Sequence, residues 1–304
     1  MTYTRVNDFE QIVKLAEALV KEDGTAVQLN FTLQVAFDAE LLKEPQLQDV
    51  SQWASDWQAI DRPERLYFSH GQYIGKDGVQ YIVDELRNKP DSNRALISLI
   101  SQKHLVGSGD APIPSFMILQ FSRVGETLYA TAYFRALEVS KFFRINVEEI
   151  RQICECIRSE QRDIQVVHLT VHAFRAYFNP NINTLEVPPL DLLREVHILQ
   201  ILEDNPSELA GLIRDKKKHT TVIDSTAFSL IAGILADKRL SQKIPPHPNS
   251  PLIDRLLAEI IGKSQKLSNS RKSSSHHDDV QKDANALAEL IGQLAEEFEK
   301  WKSA

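Results

Sequence analysis

The residues of this sequence whose types and spacing could carry chemistry lie between positions 94 and 172. Ser115 follows a proline and opens an apolar run that ends in Gln120 and Phe121. A serine hydroxyl becomes a nucleophile only when a base takes its proton, and no histidine, lysine or carboxylate stands beside Ser115 in the sequence. Arginine suits phosphate because its planar guanidinium bonds two oxygens at once. An amide side chain can donate and accept together. The candidate ligand-binding residues are Arg94, Gln120, Arg135, Asn146 and His172.

The elements that must position these residues follow from hydrophobic periodicity. Residues 26–37 alternate between apolar and polar side chains, which is typical of a half-buried strand. Further strands are predicted at about 94–100, 115–123, 127–135 and 164–175, and helices at about 8–22, 77–88 and 146–159. The sequence therefore predicts an α+β domain over residues 1–188.

The C-terminal part of the chain has a different character. Helical patterns dominate residues 189–263, which predicts an all-helical extension. Residues 264–280 are polar and serine-rich, which predicts a flexible linker. Residues 281–304 predict an amphipathic helix. Its apolar stripe consists of Leu287, Leu290, Ile291, Leu294, Phe298 and Trp301. The linker would let this helix reach a dimer mate or another protein. The alternative, that the helix folds back onto its own domain, stays open.

Composition limits the class of protein. The chain has 304 residues, of which 42% are hydrophobic and 25% charged, as is ordinary for a globular protein. A net charge of −7 argues against a general nucleic-acid binder, and the basic run at 214–219 fits a helix end better than a nucleic-acid contact. The two cysteines, Cys154 and Cys156, form no disulfide framework. Without an apolar signal segment or a run long enough to span a membrane, we expect a cytoplasmic protein.

Four sequence elements, in this order and spacing, resemble the thymidylate synthase family. They are Lys89-Pro90-Asp91-Ser92-Asn93-Arg94, Pro114-Ser115-Phe116 with Gln120-Phe121, Tyr133-Phe134-Arg135-Ala136-Leu137-Glu138, and Asn146. The family shows D-S-R-R, then P-C-H-x-x-x-Q-F, then Q-R-S-x-D, then an asparagine. Ser115 and Arg135 are twenty residues apart and Arg135 and Asn146 eleven, as in the family. Val171-His172-Ala173-Phe174 looks like the family's T-H-L-Y, and the likeness covers roughly residues 50–180.

The resemblance implies a fold and a set of roles. The fold would be a thymidylate synthase-like three-layer sheet-and-helix body, and the protein a homodimer with its sheets packed back to back. Arg135 matches the arginine that holds the nucleotide phosphate, and Arg94 matches one that is donated across the dimer interface. Asn146 matches the asparagine that reads the uracil edge. Gln120 and His172 occupy matched motifs and complete the expected nucleotide site.

The departures from the family's pattern are as informative as the matches. Ser115 stands at the position of the catalytic cysteine, and Phe116 at that of the neighbouring histidine. Glu138 replaces the aspartate linked to folate binding, and the folate-closing C-terminal tail has no counterpart. The other replacements are Asn93 for the first arginine of D-S-R-R, and Phe134 and Ala136 for the residues flanking the phosphate arginine. We therefore expect no cofactor and no reductive methylation, and we interpret Ser115 as the relic of a nucleophile position.

Plainer roles remain open for several of these residues. Arg94 and Arg135 could be surface or ion-pair residues, and Gln120 could bond a neighbouring strand. Asn146 could be a helix N-cap. His168 and His172 lie four residues apart in a strand-like setting with no carboxylate or cysteine cluster, so we expect no metal site.

The function that the sequence favours is a catalytically silent thymidylate synthase-like protein that binds a nucleotide or nucleotide-derived ligand. Such a protein would act as a sensor or subunit, and the added helices would suit a multi-component system such as antiviral defence. Two alternatives stay open. One is a pyrimidine-nucleotide transferase or hydroxymethylase that uses a recruited base. The other is a structural subunit whose C-terminal helices bind a partner protein.

Overall fold

The computed structural model of the chain describes residues 2–21, 26–108, 111–180, 182, 186–219, 222–247, 249–273 and 277–301. The chain divides into two compact units. The first consists of Met1–Pro63, Phe68–Ser108 and Ile113–Thr184, and the second of Leu185–Ala304 with two short segments, Glu64–Tyr67 and Gly109–Pro112. Within the described residues, no helix is both long enough and apolar enough to cross a membrane.

A six-stranded mixed sheet forms the centre of the first unit. Its strands are β1 (Thr4–Arg5), β2 (Val27–Asp38), β3 (Leu96–Ser98), β4 (Phe116–Val124), β5 (Thr127–Glu138) and β6 (Val166–Tyr177), in the order β1-β2-β6-β5-β4-β3. Strands β4 and β5 form an antiparallel hairpin whose turn contains Gly125 at φ 57°, a left-handed conformation that favours glycine. Strands β5 and β6 are parallel, which requires a crossover connection.

The helices of the first unit are α1 (Phe9–Lys21), α2 (Ser51–Gln58), α3 (His70–Ile74), α4 (Gly78–Asn88), α5 (Gln102–Gly107) and α6 (Phe142–Glu160). Helix α6 is the crossover between β5 and β6. Helices α1, α4 and α6 bury their apolar faces in one core with the alternate residues of the strands. In β5 this alternation buries Leu128, Ala130, Ala132 and Phe134 while the residues between them are half-buried or exposed. One face of the sheet therefore belongs to the core, and the other carries partly exposed side chains.

The second unit is all-helical. Its helices are α7 (Pro189–Leu192), α8 (Glu195–Asp204), α9 (Glu208–Lys216), α10 (Thr226–Ala236), α11 (Lys238–Ser241), α12 (Ser250–Ser273) and α13 (His277–Glu299). Together, a mixed sheet with helices and an all-helical C-terminal region confirm the α+β class. The sequence missed the short elements β1, α2, α3, α5 and α11, which span between two and eight residues each.

The stretch at 264–280 departs from the expected flexible linker. Helix α12 continues through Ser273 and α13 begins at His277, so the linker prediction is wrong for the residues described there. Two apolar residues of this stretch pack in the second unit: Leu267 is fully buried between polar neighbours, and Val280 packs against the same core. Serine is a poor helix former, but tertiary packing overrides such weak local preferences.

The apolar stripe of α13 packs within its own unit. Helix α13 contacts α9 and α12. Leu294, Phe298 and Trp301 lie in the hydrophobic core of the second unit. The Trp301 indole also donates to the Pro245 carbonyl at 2.9 Å. The helix folds back in the same chain, as in the alternative that the sequence left open.

Candidate functional site

Ser115 and Arg135 lie together at the start of β4 and the end of β5. The backbone N–H of Arg135 donates to the Ser115 carbonyl at 3.0 Å. The Arg135 guanidinium reaches back along the segment before Ser115. Its Nε donates to the Pro114 carbonyl at 3.2 Å and its Nη2 to the Ile113 carbonyl at 3.1 Å. These bonds hold the guanidinium against the segment that immediately precedes Ser115.

The charge of Arg135 has no neutralising partner in the described part of the chain. Both acceptors of its guanidinium are neutral carbonyls, and no carboxylate lies within ion-pair distance. Partial burial lowers the pKa of Arg135, with Tyr177 opposing the shift, but a guanidinium remains charged at neutral pH. An uncompensated cation with unused N–H groups is suited to binding an anion.

The neighbours of Ser115 on the core side are apolar. The Phe116 and Phe134 rings stack at 4.6 Å between centroids and 15° between planes, and both residues are buried. These are the two positions where the family resemblance implies a histidine and a glutamine. The stacked pair leaves no polar side chain from either position to serve the Ser115 hydroxyl.

Glu138 is committed to the N-terminus of α6. It is 3% exposed, and its carboxylate accepts from the backbone N–H groups of Ser140, Lys141, Phe142 and Asn179 at 2.8, 2.8, 3.1 and 3.1 Å, and from the Ser140 hydroxyl. The first N–H groups of a helix have no partners within the helix, so a carboxylate there satisfies them and interacts favourably with the helix dipole. Glu138 is therefore a capping residue.

Asn146 is not the cap that its sequence context allows. Helix α6 begins at Phe142, so Asn146 lies inside the helix. It is 6% exposed, and its Nδ2 donates to Glu149 Oε2 at 2.8 Å. The other carboxylate oxygen, Oε1, lies 2.8 Å from Nδ1 of His70. Asn146, Glu149 and His70 thus form a buried polar cluster.

Sequence reasoning missed His70 and Glu149. The two residues are 79 positions apart, and neither belongs to a motif. The signal that could have pointed to Glu149 is a carboxylate on the apolar face of an amphipathic helix, since Asn146, Ile150 and Ile153 share its buried face. The cluster meets the Ser115 segment through an aromatic contact, because the His70 ring packs edge to face on Phe116 with centroids 5.7 Å apart.

Arg94 and Gln120 lie away from Ser115 within one chain. Ala95 accepts from the backbone N–H of Phe121, which places Arg94 beside Ser122 on β4. Seven strand residues from Ser115 correspond to about 23 Å. The Arg94 side chain is exposed and has no partner among the described residues. Gln120 Nε2 donates to the Asn93 carbonyl at 3.3 Å, in the turn that precedes β3.

His172 lies on the sheet face opposite Asn146. Its Nδ1 is 3.0 Å from Thr32 Oγ1, and its ring stacks on Tyr133 at 5.4 Å. Alternation along β5 puts Tyr133 and Arg135 on this partly exposed face, whereas α6 packs on the other. The candidate residues therefore fall on two sides of the sheet. In the described ranges no group of three or more His, Cys, Asp or Glu residues could hold a metal ion.

No protein-family model matches the chain, and no curated protein is significantly similar to it.

Proposed function

We propose that this chain is a catalytically silent, cytoplasmic protein of thymidylate synthase-like, three-layer fold that binds a nucleotide or a related phosphorylated ligand and acts as a sensor or subunit. The observation that carries the proposal is the Arg135 guanidinium. Two carbonyls fix it beside Ser115, and no carboxylate in the described residues neutralises it. A fixed and partly desolvated cation of this kind binds phosphate more strongly than a solvated, mobile one.

Two observations support the absence of catalysis. The stacked Phe116 and Phe134 rings occupy the positions from which polar groups would assist a nucleophile at Ser115. Glu138, which matches the position linked to folate, has its carboxylate satisfied by the N-terminus of α6. Neither group is free for the family's reaction.

We also propose that the protein is a homodimer whose sheets meet through their partly exposed faces. Phe174 is 66% exposed and Tyr133 37% exposed on that face. Isolated exposed aromatic side chains are common, but here two occur beside Arg135 on adjacent strands. A second copy would also resolve the separation of Arg94 from Ser115, because Arg94 of one protomer could then reach the phosphate held by the other.

A second candidate function is favoured by the cluster at His70. A transferase or hydroxymethylase acting through Ser115 needs a base that the local sequence lacks, and His70 is an imidazole held against a carboxylate near Phe116. If purified protein releases the C5 hydrogen of dUMP or dCMP in the presence of a methylene-folate donor, and Ser115→Ala abolishes the release, this candidate replaces the silent protein.

The binding proposal is tested by thermal shift with dUMP, dCMP, dTMP and inorganic phosphate. A ligand at a hundred times its Kd stabilises the folded protein by about 2.7 kcal/mol, which moves the Tm measurably. We expect Arg135→Ala to weaken binding about tenfold or more, since hydrogen bonds to charged groups contribute about 1.5–3 kcal/mol. Arg162→Ala is the control, because Arg162 is an exposed arginine before β6. The proposal fails if no ligand shifts the Tm, or if Arg135→Ala binds as the wild type does.

The dimer is tested by mixing Arg94→Ala and Arg135→Ala chains. If each site takes one arginine from each protomer, the mixed dimer regains one intact site, and the sample recovers binding that neither variant shows alone. Sedimentation of the wild type as a monomer contradicts the dimer. Wild-type affinity of Arg94→Ala contradicts the role of Arg94 across the interface. Both outcomes leave the phosphate role of Arg135 intact.

A further inference from the structure

The second unit contains a surface pocket of about 130 Å³ between the start of α12, the loop before it and Trp301. Buried apolar side chains, among them Ile244, Ile253 and Trp301, form its walls. An apolar cavity of about 150 Å³ holds a benzene molecule, and most ligand sites for whole small molecules are larger, about 300–1,000 Å³. The pocket therefore has room for the end of one side chain and is too small for a nucleotide.

Hydrogen bonds fix the two rings that border this pocket. The Trp301 indole N–H donates to the Pro245 carbonyl at 2.9 Å, and the His247 ring packs edge to face on the indole with centroids 4.9 Å apart. The backbone N–H of Asn249 donates to Nδ1 of His247 at 2.9 Å, so the proton of the imidazole is on Nε2. Nε2 lies 3.2 Å from the Glu297 carbonyl, to which it donates. Both rings are therefore held in place, and their nitrogens are not available to a ligand.

Three side-chain groups of the pocket can still accept hydrogen bonds. The Asp254 carboxylate is exposed and has no ion-pair or hydrogen-bond partner in the described part of the chain. The Ser250 hydroxyl donates its proton to the His247 carbonyl at 3.0 Å, which leaves its oxygen free to accept. Ser241 lines the same pocket, and no lysine or arginine is among the described residues that line it. The pocket therefore combines apolar walls with acceptors and one negative charge.

We infer that this pocket binds a lysine side chain of a partner protein. The apolar stem of a lysine packs on apolar surface while its ammonium group stays near water, which matches apolar walls beside an exposed carboxylate. An ammonium has three N–H donors, as many as the groups that can accept, whereas a guanidinium has five and would leave some of them without a partner. The negative charge of Asp254 disfavours an acidic side chain. This inference does not depend on the nucleotide function.

The test uses three small probes on the full-length protein. The n-butylammonium ion has the stem and the charge of a lysine side chain, n-butanol has the stem without the charge, and Nα-acetyl-lysine methylamide adds the backbone of a lysine within a protein. Nitrogen NMR of labelled tryptophans follows the Trp301 indole, which Trp301→Phe assigns by its loss. The variants compared are Asp254→Asn and, as the control, Asp204→Asn, which changes an exposed aspartate at the end of α8.

We expect n-butylammonium and the lysine derivative to shift the Trp301 resonance saturably, and n-butanol to bind more weakly than either. Asp254→Asn should weaken the binding of n-butylammonium about fivefold, the effect of one ion pair at a partly exposed site. It should keep the Tm of the wild type, because Asp254 is exposed and has no partner among the described residues. Asp204→Asn should bind all three probes as the wild type does.

Three other outcomes overturn the inference. In the first, n-butanol binds as tightly as n-butylammonium, or Asp254→Asn binds the ammonium as well as Asp204→Asn does, so the carboxylate has no role. In the second, n-butylammonium binds but the lysine derivative does not, so the pocket takes free amines and no protein side chain. In the third, none of the probes moves the Trp301 resonance. All three leave the phosphate role of Arg135 intact.

Discussion

At the scale of single residues, burial determines how much a charged side chain contributes to stability. Lys216 belongs to a basic run in the sequence, yet its side chain is only 6% exposed, and Nζ lies 2.6 and 2.5 Å from the two carboxylate oxygens of Asp191. Burial raises the pKa of Asp191 although Lys216 opposes the shift. Arg214, in the same basic run, pairs with Glu299 instead, and its side chain is 50% exposed.

The two pairs allow a matched comparison of Lys216→Met with Arg214→Met. Removing Lys216 leaves a buried carboxylate without its partner, so we expect a loss of about 3–5 kcal/mol in the free energy of unfolding. Removing Arg214 breaks an exposed ion pair, with an expected loss of about 1 kcal/mol or less. Urea unfolding measures both. Equal losses from the two variants would show that the buried pair has no special role.

At the scale of elements, charged side chains attach α6 to its surroundings. Arg144 Nη1 donates to Glu10 of α1 at 2.7 Å, and Arg144 Nε donates to Asp49 at 2.8 Å. The hydrogen bonds from Arg144 lower the pKa values of Glu10 and Asp49, against a smaller opposing effect of burial. They also raise the pKa of Arg144. Arg144 therefore joins α6 to α1 and to the segment that precedes α2, on the surface of the first unit.

Stability at acid pH should reveal this attachment. Because the pKa values of Glu10 and Asp49 are lower in the folded protein than in the unfolded chain, their contribution is present above the ordinary carboxyl range. It is lost as the pH falls through the lowered values. Arg144→Met should cost about 1 kcal/mol near pH 7, since the pairs are partly exposed, and less at pH 3. Thermal unfolding across this range tests this expectation, with the exposed Lys103→Met as the control. A pH-independent cost would mean that Arg144 acts only through packing.

At the scale of the whole molecule, each unit has its own hydrophobic core. The core of the first unit lies between one sheet face and helices α1, α4 and α6. The core of the second contains α13, with Leu294 and Phe298 fully buried. The C-terminal helix is therefore part of the structural core of its unit, and the residues of its apolar stripe pack within that core.

Adjacent positions on α13 test this arrangement. Leu294→Asp places a carboxylate in the second core and should cost about 3–5 kcal/mol, whereas Gln293→Asp changes an exposed neighbour and should be nearly neutral. Hydrogen exchange by mass spectrometry should show α9, α12 and α13 losing protection in Leu294→Asp while β5 and β6 keep theirs. Equal loss in β5 and β6 would mean that the two cores unfold as one.

The sequence by itself determined the local structure and the pairing inside one hairpin. Alternating residues predicted β2, and apolar strand-like runs predicted β4, β5 and β6, each to within a few positions, because these local patterns need no distant partner. The turn at Gly125 brings residues at similar distances from it opposite each other, so the proximity of Ser115 and Arg135 follows from chain spacing. A β-bulge between Phe116 and Ile118 adjusts the register there.

Only the tertiary structure decided which polar groups are buried together. His70 and Glu149 meet across 79 residues because α3 and α6 pack in the same core, and neither residue's local pattern encodes that contact. The helical structure of the stretch that reads as a linker has the same cause, since Leu267 and Val280 pack at the second core and tertiary packing overrides weak local helix preferences. Local spacing sets neighbours along an element, whereas burial depends on which elements meet.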